Sequence, residues 1–127
     1  MRAPLVAWIL LFAAPAAAEE TDPWWGRDKA LHFGVSAGLA AGAYATSSFV
    51  LDERWQRASA GAGFSITLGA GKELYDAAGY GHPSAKDFAW DVAGAAVGTA
   101  IALLVDVLIA PKQREAVRAG RATLVTR

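Results

Sequence analysis

The chain has 127 residues, 54% of them hydrophobic and 19% charged, with 12 basic side chains balanced by 12 acidic ones. That composition excludes a disordered chain, and a net charge of zero gives no electrostatic footprint for nucleic acid. Cysteine is absent, which excludes disulfides, thiolate nucleophiles, thiolate metal sites and an acylated N-terminal cysteine.

Residues 1–18 read as a secretory signal peptide. Arg2 supplies positive charge, Leu5 to Ala14 is a short apolar core, and Ala16-Ala17-Ala18 offers small residues for cleavage before Glu19. A retained N-terminal anchor is the alternative, and either reading sends the chain out of the bacterial cytoplasm. Residues 19–27 form a polar linker that contains Asp22-Pro23.

An apolar segment follows from Ala30 to Leu51, with His32 and Tyr44 as its only ionisable groups. A helix over this stretch rises about 33 Å at 1.5 Å per residue, enough to cross a bilayer. The second segment, Ala58 to Gly71, is long enough only if its flanks join in, with Arg57 and Lys72 running their alkyl stems toward the headgroups. The third, Phe88 to Ala110, matches the first in length and carries Asp91 near its start and Asp106 near its end. The fold expected is all-α, a small integral membrane bundle of three transmembrane helices after the signal sequence. Residues 28–110 form the membrane domain and residues 111–127 a basic cytoplasmic tail.

Small residues recur at a period of four. Gly34, Gly38 and Gly42 form one stripe, and Gly94, Gly98 and Ala102 form another. Such stripes let helix backbones approach closely, within the bundle or in a homo-oligomer.

Basic residues orient the bundle. The turn after the first segment holds Arg54 and Arg57, and the tail holds Lys112, Arg114, Arg118, Arg121 and Arg127 against Glu115. The opposite ends hold Arg27, Lys29, Lys72 and Lys86. Positive charge favours the cytoplasm, so the expected location is the bacterial inner membrane with the other face toward the periplasm. Trp24, Trp25, Tyr75, Tyr80 and Trp90 then fall at the outer boundary. A soluble periplasmic protein is the alternative.

That topology gathers polar residues from three distant stretches at the outer face: Asp28, Lys29 and His32; Lys72, Glu73 and Asp76; and Ser84, Asp87 and Asp91. Asp28, His32 and Ser36 share one helical face, as do Asp87, Asp91, Gly94 and Gly98. His32 and Asp91 lie about one turn below the interface, where ionisable groups are costly and point into a bundle. Simpler roles compete with function here. Ser84 and Asp87 fit a capping box, Asp28 an N-cap, Asp76 and His82 a solvated loop, and Asp106 a partner for Arg57 or the tail.

Established chemistries are poorly matched. His32, Glu73 and Asp91 are the set that would converge on a metal, but no HExxH or similar compact pattern is present, so no metal or cofactor is expected. In "GAGKE" Glu73 stands where a phosphate loop requires Ser or Thr, and "GYGHPSAKD" lacks a Gly-x-Ser-x-Gly elbow.

The segments "DKALHF", "GKELYD" and "SAKDFAWDVAGAAVG" resemble the bacterial YfiM family, small cell-envelope proteins of unknown function labelled as lipoproteins. The order Asp-Lys-x-x-His, then Glu, then Asp before a Gly-rich helix is also similar to the VanZ-like membrane proteins, named for a protein associated with glycopeptide resistance. The resemblance covers about residues 28–98, and by it Asp28, Lys29, His32, Lys72, Glu73, Asp76, Ser84, Asp87 and Asp91 are the motif positions. Two departures stand out: there is no cysteine to acylate, and Lys86 stands where the VanZ-like pattern has an arginine.

The function expected from these residues is recognition of membrane lipid, an anionic or sugar-bearing envelope lipid, through Lys29, Lys72 and Lys86. His32, Glu73 and Asp91 would organise that pocket. A membrane-embedded enzyme using His32 with Glu73 or Asp91 as acid–base or metal site is the alternative from another class. A structural, soluble periplasmic helical protein is the third.

Overall fold

The computed structural model describes residues 22–125, with side chains described up to Ala110 and at Gly120. The signal segment 1–18 lies outside the described residues. Three α-helices follow in order: α1 (Arg27–Ser47), α2 (Arg54–Tyr75) and α3 (Ala85–Val125), with a π-type turn (Asp76–Tyr80) after α2. No strand occurs among the described residues.

Gly26 admits the chain to α1 with φ 158°, a backbone that side-chain-bearing residues rarely adopt, and its carbonyl accepts from Ala30 N–H at 3.1 Å. The helix stops at Ser47, short of the expected Leu51. Thr46, Ser47 and Ser48 turn their hydroxyls back onto the carbonyls of Gly42, Tyr44 and Ala45 at 2.6–2.9 Å. Ser48, Phe49 and Val50 donate N–H to the residue three back, so the last turn tightens.

α2 extends past both ends of the apolar stretch that predicts it, taking in Arg54 to Arg57 and Lys72 to Tyr75. The following turn contains Gly79 at φ 103°, a left-handed position that suits glycine. Tyr75 and Tyr80 stack across that turn with centroids 4.5 Å apart. α3 continues through Pro111 to Val125, so the backbone of the basic stretch after Ala110 is helical that far.

Cross-helix bonds define the topology. Residues 29, 36 and 44 of α1 bond to 87, 91 and 106 of α3, so these two helices run parallel. Ser65 of α2 donates to the Ser36 carbonyl at 2.8 Å, while Arg57 of α2 reaches Asp106, so α2 runs antiparallel to both. The starts of α1 and α3 and the end of α2 therefore share one end of the bundle.

The helices meet through small residues. A Cβ on Gly94 would collide with the Phe33 carbonyl and one on Gly98 with the Ala37 carbonyl, so this stripe sets the α1–α3 approach. Gly61, Ser65 and Gly69 form a buried stripe on α2, and a Cβ on Gly61 would lie 2.6 Å from the Ala40 carbonyl oxygen. The stripe Gly34, Gly38, Gly42 behaves otherwise. It has open space above it and, with Val35, Leu39 and Phe64, lines an open apolar groove of about 720 Å³.

The interior is small and polar and the exterior large and apolar. Among the described residues the buried hydrophobic ones are Ala40, Tyr44 and Ala95, beside buried Lys29, Ser36, Ser65, Ser84, Asp87 and Asp91. Leu31, Val35, Phe64, Leu68, Ile101 and Leu104 are among the many large apolar side chains left exposed. One helix among the described residues, Ala85–Ala110 of α3, is long and apolar enough to cross a membrane. α1 and α2 owe much of their apolar character to Ala and Gly, whose small surfaces give little transfer energy per residue.

Candidate functional site

The polar residues expected at one face are brought to one end of the bundle. Lys29, Ser36, Ala40 and Tyr44 form the buried side of α1, with His32 beside them and Asp28 on the rim. Asp87 and Asp91 stand one turn apart on α3 and point at that side.

Ser84 organises the start of α3. Its hydroxyl accepts from Asp87 N–H at 3.1 Å, as an N-cap does, and donates to Asp22 at 2.5 Å. In a closed capping box the residue three along would return its carboxylate to the cap N–H. Here Glu73, at the end of α2, accepts from Ser84 N–H instead, at 2.5 Å. Asp87 is thereby left free to face α1, where it accepts from Lys29 and lies 3.4 Å from His32 Nε2.

Each lysine is already engaged. Lys29 is buried between Asp22 and Asp87 and donates to both carboxylates. Lys72 pairs with Glu73 at 2.8 Å and Asp76 at 3.0 Å, with Asp87 further off at 3.6 Å. Lys86 donates to the Asp22 carbonyl and lies 5.7 Å from the centroid of Trp24. Asp22, Asp28, Glu73, Asp76, Asp87 and Asp91 thus outnumber the ammonium groups, and the cluster is net anionic.

His32 lies below this layer. Its Nδ1 is 3.1 Å from Asp91 Oδ1, which also accepts from Ser36 Oγ at 2.8 Å. A carboxylate can only accept, so Nδ1 carries the proton and Nε2 points to Asp87 and Asp28. Glu73 is occupied with Ser84 and Lys72, so the set His32, Glu73 and Asp91 does not form one donor group. His82 is exposed on the connection.

Around the cluster runs an aromatic rim. Trp25 meets Trp90 edge to face at 5.1 Å, Phe33 meets Trp90 at 6.1 Å, and Trp90 Nε1 donates to the Trp24 carbonyl at 2.9 Å. At the opposite end Asp106 accepts from Tyr44 at 2.8 Å, Arg54 at 3.2 Å and Arg57 at 3.3 Å. Asp22 is the site residue that sequence reasoning passed over. Three groups converge on it, and the only signal was an acidic residue before a proline in the linker.

Comparisons with family models, curated proteins and solved structures find no match to this chain.

Proposed function

We propose that this protein is a small cell-envelope membrane protein, with α1, α2 and the apolar part of α3 as three spans. Its polar end faces the periplasm and recognises the hydroxyl-rich, sugar-bearing headgroup of an envelope lipid. The membrane placement rests on the inverted packing, small and polar residues inside and large apolar ones outside, which water would penalise and lipid favours. Arg54 and Arg57 at the opposite end agree with a cytoplasmic side there, and the likeness to the YfiM and VanZ-like families agrees with an envelope location.

The observation that carries the ligand class is that carboxylates neutralise Lys29 and Lys72, while the Asp22 backbone carbonyl holds Lys86. An anionic headgroup would have to displace those partners and meet a net negative cluster. Hydroxyls donate to carboxylates without that cost, and the exposed faces of Trp24 and Trp25 supply an apolar rim for a sugar ring. The test is binding of the full chain in nanodiscs with neutral glycolipid, anionic phospholipid or neither. Selective retention of the glycolipid is expected, and preference for the anionic lipid refutes the reading. Release of the chain from membranes at alkaline pH refutes the three spans.

An acid–base role for His32 is a second reading, favoured by its Asp91 bond, which orients the ring and leaves Nε2 facing the cluster.

A further inference from the structure

We infer that Asp28, His32 and Asp87 form a binding site for a divalent ion of the zinc class. His32 Nε2, one Asp28 oxygen and one Asp87 oxygen all lie within 4.8 Å of one another. The separations from Nε2 are 3.4 Å to Asp87 Oδ2 and 3.9 Å to Asp28 Oδ1, longer than a hydrogen bond of about 2.7–3.2 Å. Two ligand bonds of about 2.0 Å at a tetrahedral angle place their donor atoms about 3.3 Å apart. The spacing therefore suits atoms that share a cation better than atoms that share a proton.

The tautomer supplies an independent argument. Asp91 takes the Nδ1 proton, so a neutral His32 turns its Nε2 lone pair toward two carboxylate oxygens. Three acceptors facing one another repel unless a positive charge stands between them. Asp91, itself fixed by Ser36, is then the carboxylate that orients a metal-bound imidazole and raises its basicity.

The neighbouring ammonium groups do not close the site. Lys29 bonds to Asp87 Oδ1, the other oxygen of that carboxylate. Lys72 is the nearer competitor at 3.6 Å from Oδ2, but it is held more closely by Glu73 and Asp76 and can leave Asp87 without losing its pairing. Three protein ligands leave a fourth position for water or a hydroxyl group on the rim beside exposed Asp28. The site stands whether or not a lipid headgroup binds above it.

The full chain, purified in mild detergent and stripped with a chelator, is titrated with Co²⁺ and then Zn²⁺. One equivalent of Co²⁺ should bind with the visible absorption of a tetrahedral centre and be displaced by Zn²⁺. His32→Ala and Asp87→Asn should lose that signal. Asp28→Asn is the decisive variant, because Asp28 is 68% exposed and Lys29 keeps its bonds to Asp22 and Asp87 without it. It should keep helicity and thermal midpoint while weakening Co²⁺ binding at least about tenfold, and Asp91→Asn should weaken it about 10–100-fold. Absence of a stoichiometric Co²⁺ signal in the wild type, or an Asp28→Asn affinity equal to wild type, overturns the site. An imidazolium bridged by two carboxylates predicts those two results.

Discussion

His32 on α1 and Asp91 on α3 are joined by a 3.1 Å contact between Nδ1 and Oδ1, and Ser36 donates to that same oxygen at 2.8 Å. One carboxylate thus ties two turns of α1 to α3. Asp91→Ala would leave the Ser36 hydroxyl and the His32 N–H without this acceptor, and each unsatisfied group costs about 1–3 kcal/mol. Thermal unfolding in detergent should fall clearly for Asp91→Ala. A double-mutant cycle with His32→Ala should give a coupling energy of about 0.5–3 kcal/mol, and additivity would show the pair to be uncoupled.

The two glycine stripes should respond in opposite directions. Gly98→Ala places a methyl group against the Ala37 carbonyl, so the helices must separate, at a cost of about 1–3 kcal/mol. Gly38→Ala meets nothing within 4 Å and gains about 1 kcal/mol of helix propensity. Thermal midpoints of the two variants in one detergent decide the matter. Equal destabilisation by both would contradict the packing described for α1.

Legibility from sequence divides along the same line. Period-four spacing identified both stripes, but spacing alone does not say which faces a neighbour, because that depends on how the helices are rotated. Gly61, Ser65 and Gly69 have the same spacing, yet the serine in the middle and the shortness of the apolar stretch hid them. Membership of the polar cluster was readable because α1 and α3 begin at the same end. Its pairing was not. Glu73 reads as a companion of His32, and the structure sets it on Ser84 N–H, a bond between α2 and α3 that no local pattern encodes. Donors drawn from two helices likewise leave no compact metal motif to find.

Acid should loosen the linker. The hydrogen bond from Lys29, then that from Ser84, holds the Asp22 carboxyl below its ordinary value of 3.8. A folded-state value below the unfolded one means the bond stabilises fully above the ordinary value and is lost as pH falls through the depressed one. Fluorescence of Trp24 and Trp25 should therefore change below about pH 4, with the transition absent in Asp22→Asn. A wild-type transition that persists in that variant would assign it to another carboxylate.

The start of α3 is held by two different interactions, and they can be separated. Ser84→Ala removes the hydroxyl that caps Asp87 N–H and reaches Asp22, a loss of about 0.5–2 kcal/mol for the cap alone. Glu73→Gln keeps an acceptor for Ser84 N–H but removes the charge paired with Lys72 at 2.8 Å. Because Lys72 retains Asp76, and is 41% exposed, the loss should stay near the 0–1 kcal/mol of a surface pair. Glu73→Ala removes the acceptor as well and should cost about 1–3 kcal/mol more than Glu73→Gln. If Gln and Ala destabilise equally, the carboxylate acts through its charge and the α2–α3 bond to Ser84 contributes nothing. If Ala alone is severe, the backbone bond is what lets Asp87 leave its own cap and turn toward Lys29 and His32.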